Sequence, residues 1–119
     1  MTIETKKITS TSCKYLYTML KLDPDNTGVH CIDIAKELNC SKPSVHNLMI
    51  KLIKNGYVDM PLYKEASLTE KGRSAAEKIT VYYNKLTVIL KDTIPFLEDN
   101  FDAVFALIET MPNEILEKL

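Results

Sequence analysis

Apolar residues recur along most of this chain with the period of an amphipathic helix, and the rhythm breaks only where turn-forming residues cluster. Leu16, Met19 and Leu20, flanked by Tyr15 and Tyr17, predict a first helix over Cys13–Leu22, capped by Thr11 or Ser12. The run Asp23-Pro24-Asp25-Asn26-Thr27-Gly28 stops it, since Pro and Gly beside Asp and Asn favour turns. A short helix over Cys31–Leu38 follows, with Ile34, Ala35 and Leu38 inward, and Asn39-Cys40-Ser41 makes a tight turn.

Ser41 then caps a third helix. Pro43 falls in its first turn, where a missing N–H is harmless, and Val45, Leu48, Met49, Leu52 and Ile53 form one apolar face. Gly56 after Asn55 ends it. Between these core positions stand Lys42, Ser44, His46, Asn47, Lys51 and Lys54, a polar face rich in hydrogen-bond donors. Tyr57–Met60 and Lys64–Leu68 read as two short strands joined around Pro61, with Lys64 near the tip of the hairpin. Thr69 caps a long helix that runs to about Leu90, with Ala76, Ile79, Tyr83 and Leu86 inward. Thr93-Ile94-Pro95 interrupts, Asp99 or Asn100 opens another helix through Glu109, and Pro112 opens a last one to Leu119. The expected fold is mainly α: a winged helix-turn-helix (three helices plus a two-stranded β-wing) over residues 1–72, then a helical region over residues 73–119.

Composition narrows the class. A chain of 119 residues, 45% hydrophobic and 26% charged, is an ordinary globular domain or a domain with a short appendage. No stretch approaches the ~20 apolar residues that cross a bilayer. Lys6 and Lys7 precede no apolar run, so no signal peptide and no membrane partner are expected, and the location expected is cytoplasmic. Cys13, Cys31 and Cys40 form no CxxC pair and read as small apolar residues. Cys40 alone, just ahead of a helix N-terminus, has the setting of a redox switch.

Charge is unevenly spread behind a net value of −1. Residues 36–91 carry ten Lys or Arg against five acids, and residues 92–119 carry one Lys against seven acids. A basic middle therefore coincides with the helix-turn-helix, and an acidic end with the later helices. Two helices joined by a short turn, the second polar on one side and followed by a wing, fit the major groove of double-stranded DNA. Ser41, Lys42, Pro43, Ser44, His46 and Asn47 are the candidates for base contacts. Lys51, Lys54, Lys64, Lys71 and Arg73 are the candidates for phosphate contacts. The alternative is a winged-helix protein–protein interaction module without DNA binding, which a pI near 6.1 keeps in view.

Asp33-Ile34-Ala35-Lys36-Glu37-Leu38 and Ser41-Lys42-Pro43-Ser44-Val45-His46-Asn47-Leu48-Met49-Ile50-Lys51-Leu52 resemble the DNA-binding motif of the diphtheria toxin repressor and manganese transport regulator family. Asn55-Gly56-Tyr57-Val58 and Ser67-Leu68-Thr69-Glu70-Lys71-Gly72 extend the likeness. So do Val81-Tyr82-Tyr83-Asn84-Lys85-Leu86 and Ile108-Glu109-Thr110. The resemblance implies a homodimeric transcriptional repressor, one recognition helix per half-site, dimerised through the helices after the wing. Larger members append a small β-domain, which a sequence stopping at Leu119 is not expected to carry.

The resemblance also implies activation by Mn(II) or Fe(II), and here the sequence departs from the pattern. The positions that hold metal in the family read Lys14, Tyr17, Asn84, Ala106, Glu109 and Thr110, of which Glu109 alone is of ligand type. A transition metal needs several converging imidazole, thiolate or carboxylate donors. No metal cofactor is therefore expected, and Lys14 is expected to lie near Glu109, its charge standing in for the metal. His30 and His46 are too far apart in sequence to suggest a metal pair, and His46 reads as a DNA contact. Tyr15, Tyr17, Tyr82 and Tyr83 read as core or dimer-interface residues, or as the lining of a pocket for a small-molecule effector. No phosphate-cradling glycine loop, nucleophile elbow or ligand cluster appears, so the chain does not read as an enzyme.

Overall fold

The structure, a computed structural model, describes residues 8–97 and 99–119. The first helix, α1 (Ser10–Leu22), starts earlier than its periodicity predicts, because Thr9 rather than Thr11 or Ser12 accepts the N–H of Ser12 as the cap. After the turn come β1 (Val29–His30) and α2 (Cys31–Leu38), which ends at Asn39 in the left-handed conformation, φ 53°. Asn tolerates that region better than most residues. Next is α3 (Lys42–Lys54), capped by the Ser41 hydroxyl, which accepts from Ser44 N at 3.2 Å.

The wing is β2 (Val58–Asp59), a 3₁₀ turn over Pro61–Tyr63, and β3 (Glu65–Leu68). Then follow α4 (Glu70–Thr93), capped by Thr69, α5 (Phe101–Thr110) and α6 (Asn113–Leu116). The division expected between residues 72 and 73 falls inside α4, which is one continuous helix.

The wing has the two strands expected, and β1 adds a third to the sheet. Its order is β1-β3-β2, antiparallel throughout, with Val29 opposite Ala66, His30 opposite Glu65, Val58 opposite Leu68 and Asp59 opposite Ser67. A strand of two residues cannot display the period-2 alternation by which strands are read from sequence. Asn26 reinforces the ladder: its side chain donates to Leu68 O at 3.0 Å and accepts from Leu68 N at 2.9 Å.

One apolar core holds the whole. Leu16, Ile34, Val45, Met49 and Leu52 join Ala76, Val104, Phe105 and Ile108, all almost wholly withdrawn from water. Each large side chain so buried contributes roughly 1.5–3 kcal/mol, before the entropy of ordering it. The helix α1 lies at the centre of this packing, against α2, α4 and α5. Its placement therefore governs how the wing and α3 sit relative to the later helices.

Candidate nucleic-acid interface

Burial of Val45, Met49 and Leu52 fixes which side of α3 faces outward. The opposite side presents Pro43, His46, Asn47 and Lys54 to solvent, as the sequence pattern predicts. At its leading end Ser41 and Ser44 face each other, the Ser41 hydroxyl donating to the Ser44 hydroxyl at 2.8 Å. Ser44 Oγ keeps its own proton to donate. Lys42 is exposed beside them, so the N-terminal turn combines hydroxyl donors with a cation where the macrodipole is also positive. Ile50, an apolar residue outside both the core stripe and the polar face of the sequence, is 45% exposed on this same outward side.

The five cations expected at phosphates do not form one group. Lys51, Lys54 and Lys64 are exposed and take no ion-pair partner among the described residues. Lys64 follows directly on the 3₁₀ turn of the wing, where Leu62 is 82% exposed and in the left-handed conformation, φ 57°. Lys71 and Arg73 are already engaged. Lys71 Nζ donates to Asn55 O at 2.9 Å, satisfying a carbonyl at the end of α3, and lies 4.6 Å from the centre of the Tyr57 ring. Arg73 donates to Pro24 O at 2.9 Å and pairs with Glu77 at 3.3 Å. Their first task is to tie the start of α4 to the end of α3 and to the turn before β1.

The six positions that hold metal in the family have other occupations. Lys14 pairs with Asp102 at 3.1 Å, not with Glu109 as expected. Glu109 Oε1 instead accepts the N–H of Ser10 at 2.6 Å, in the first turn of α1. The Tyr17 ring lies tilted against Tyr83 at 4.5 Å between ring centres and meets Phe105 edge-on at 5.5 Å, while Phe101 packs on Phe105 at 5.0 Å. Four rings thus form one cluster, while Asn84 and Ala106 are exposed. Burial holds the Tyr17 phenol above its ordinary pKa, and the neighbouring Tyr83 hydroxyl adds to the shift, so Tyr17 stays protonated. An ammonium in an ion pair, a protonated phenol, an amide, a methyl group, a hydroxyl and one engaged carboxylate do not fit a divalent transition metal. Among the described residues, no group of three or more His, Cys, Asp or Glu is placed to hold one.

Two further expectations change shape. Cys40 is half-buried with its sulfur 3.5 Å from the Tyr15 hydroxyl, so it has a partner rather than a bare helix N-terminus. Burial and that same contact push the Tyr15 phenol up. Tyr82 lines a groove of about 650 Å³ together with Tyr57, Lys71 and Lys78, whereas Tyr17 and Tyr83 belong to the aromatic cluster.

A capped, solvent-facing polar helix between a short turn and a wing defines a DNA-binding winged helix-turn-helix protein, and the comparisons with known proteins agree. A family model described as "Iron dependent repressor, N-terminal DNA binding domain" matches residues 7–66. The chain belongs to the iron dependent repressor family and is a DNA-binding transcriptional regulator, not an enzyme. It is 30% identical over 105 residues to an uncharacterized HTH-type transcriptional regulator of Methanocaldococcus jannaschii, across 87% of this chain and 82% of that one.

Solved structures share the fold. T. acidophilum IdeR superposes with a TM-score of 0.68 at 18% identity, covering 99% of this chain and 53% of its own. The manganese regulator SloR does so with a TM-score of 0.77 at 19% identity, covering 90% and 50%. A hypothetical protein of Sulfolobus solfataricus reaches 0.65 at 20% identity, covering 93% and 85%. The chain thus spans about half the length of IdeR and SloR. Among the described residues, no helix is long and apolar enough to cross a membrane.

Proposed function

We propose that this chain is a sequence-specific, homodimeric repressor that holds its DNA-binding form without the metal ion of its family. The observation that carries the reading is the outward side of α3. It is polar, exposed and capped at Ser41, it carries the cations Lys51 and Lys54, and the wing that follows carries the exposed Lys64. In this reading Ser41, Lys42, Pro43, Ser44, His46 and Asn47 meet base edges, and those three lysines meet phosphates. Residues 1–72 supply the DNA-binding unit and residues 73–119 the dimerisation region.

Two features support the finer claims. The outward side of α4 carries exposed Val81, Val88 and Ile89, spaced i, i+7, i+8, a strip suited to a second copy related by a two-fold axis. The junction of α1 and α5 is closed by Glu109 and Ser10, by Lys14 and Asp102, and by the aromatic cluster, which supply the pinning that a metal would otherwise give. The test is a mobility shift on DNA selected by the chain itself, with chelator and with added Mn(II). Equal affinity in both is expected. A shift that needs Mn(II) overturns metal independence, and the absence of any shift at moderate salt overturns the DNA reading.

A further inference from the structure

Lone exposed apolar side chains are ordinary on protein surfaces, so the exposure of Ile50 is informative only through its surroundings. It lies one turn after His46 and Asn47 and one turn before Lys54, in the middle of the polar side of α3 and away from Val45, Met49 and Leu52. A β-branched residue there gains nothing from helix propensity and buries little in the free protein. Its advantage must come from what covers it.

Pro43 and Ile50 stand seven residues apart, about 10 Å along the helix axis, so both can face the floor of one major groove. That floor offers a single apolar group, the C5-methyl of thymine. We propose that Ile50 reads thymine methyl groups, making it a specificity-determining residue whose site carries thymine opposite the third turn of α3. The proposal rests on α3 entering the groove. It adds a base preference that the hydroxyl, amide and imidazole groups before it do not supply.

The experiment begins with selection of a binding site from random duplexes by the full chain. Each thymine of that site is then replaced by uracil, which lacks only the methyl group. Loss of one buried methyl is expected to weaken binding about fourfold, at one or two thymines per half-site. Ile50→Ala is expected to bind the thymine and uracil forms of those sites equally, and Ile50→Val to keep most of the difference. Ile50 is exposed, so both variants are expected to melt with the parent. If a site is selected but Ile50→Ala discriminates thymine from uracil as the parent does, the assignment is wrong while α3 remains the reading helix. If no site can be selected, the reading of α3 itself fails and the assignment fails with it.

Discussion

Glu109 Oε1 accepts a 2.6 Å hydrogen bond from the backbone N–H of Ser10, joining the last turn of α5 to the first turn of α1. The amides of a first helical turn have no carbonyl within the helix to bond, and an acid near them also opposes the positive end of the macrodipole. Within its own helix Glu109 is badly placed, since the last turn of α5 favours a cation. Its position makes sense only through α1. Glu109→Ala is expected to lower unfolding free energy by about 1–2 kcal/mol, the range for a charge-assisted bond at a helix start. Glu109→Gln keeps an acceptor and is expected to lose less than half of that. Denaturant midpoints at constant slope check both, and an unchanged midpoint for Glu109→Ala contradicts the role.

The two kinds of cation around α3 separate by measurement. Lys64 is exposed and takes no ion-pair partner among the described residues, so Lys64→Ala is expected to leave stability unchanged. It is expected to weaken binding to all DNA sequences and to reduce the slope of log K against log salt by about 1. Lys71 instead satisfies Asn55 O and lies over the Tyr57 ring. Lys71→Ala is expected to destabilise by about 1 kcal/mol and to change the salt slope less than Lys64→Ala does. Salt titrations beside thermal melts decide the matter. A larger slope change for Lys71 than for Lys64 reverses this sorting.

The same contrast shows what the sequence could tell and what it could not. Periodicity located α1 to α4 because each buries an apolar stripe, the breaks at Pro95 and Pro112 separated α5 and α6, and Ser41, Pro43 and Thr69 marked the starts of α3 and α4 through purely local chemistry. The start of α1 was not local. Thr9, Ser10, Thr11 and Ser12 are all competent caps, and the register in which Ser10 N meets Glu109, distant along the chain, goes with Thr9 as the cap. The strand β1 was hidden by its brevity. The partners of Lys14, Lys71 and Arg73 were hidden because a long cation reads as a free one until the fold brings an acceptor to it. Ile50 is not legible as a surface contact, because an apolar residue off the core stripe matches neither the core template nor the polar one.

Self-association is expected to run through the outward side of α4. Val88 is 58% exposed there, between Val81 one heptad earlier and Ile89 beside it. Val88→Asp places a charge opposite its own copy across a two-fold axis, where it must be desolvated against an apolar surface. The variant is expected to sediment as a monomer at concentrations where the parent is a dimer, with at least a tenfold weaker self-association. Its melting temperature extrapolated to low concentration should match the parent's, because the residue is outside the core. A variant that stays dimeric moves the interface elsewhere.

Acid stability is expected to report on the turn before β1. Asp23 is buried, which by itself disfavours its charge. It nevertheless accepts from Gly28 N at 2.8 Å, Thr27 N at 2.9 Å and Thr27 Oγ1 at 3.0 Å, with Arg73 nearby, and these hold its carboxyl below the ordinary value. A depressed carboxylate stabilises the fold fully above its unfolded pKa of about 3.9. That contribution is lost as pH falls through the lower, folded value. Asp23→Asn cannot accept all three bonds as a charge, so it is expected to melt below the parent at pH 7. The gap should hold down to about pH 5 and narrow as pH falls through the lowered value of the folded carboxyl. Melting curves from pH 7 to pH 2 check this. A gap that stays constant with pH shows that Asp23 acts by shape alone, without its charge.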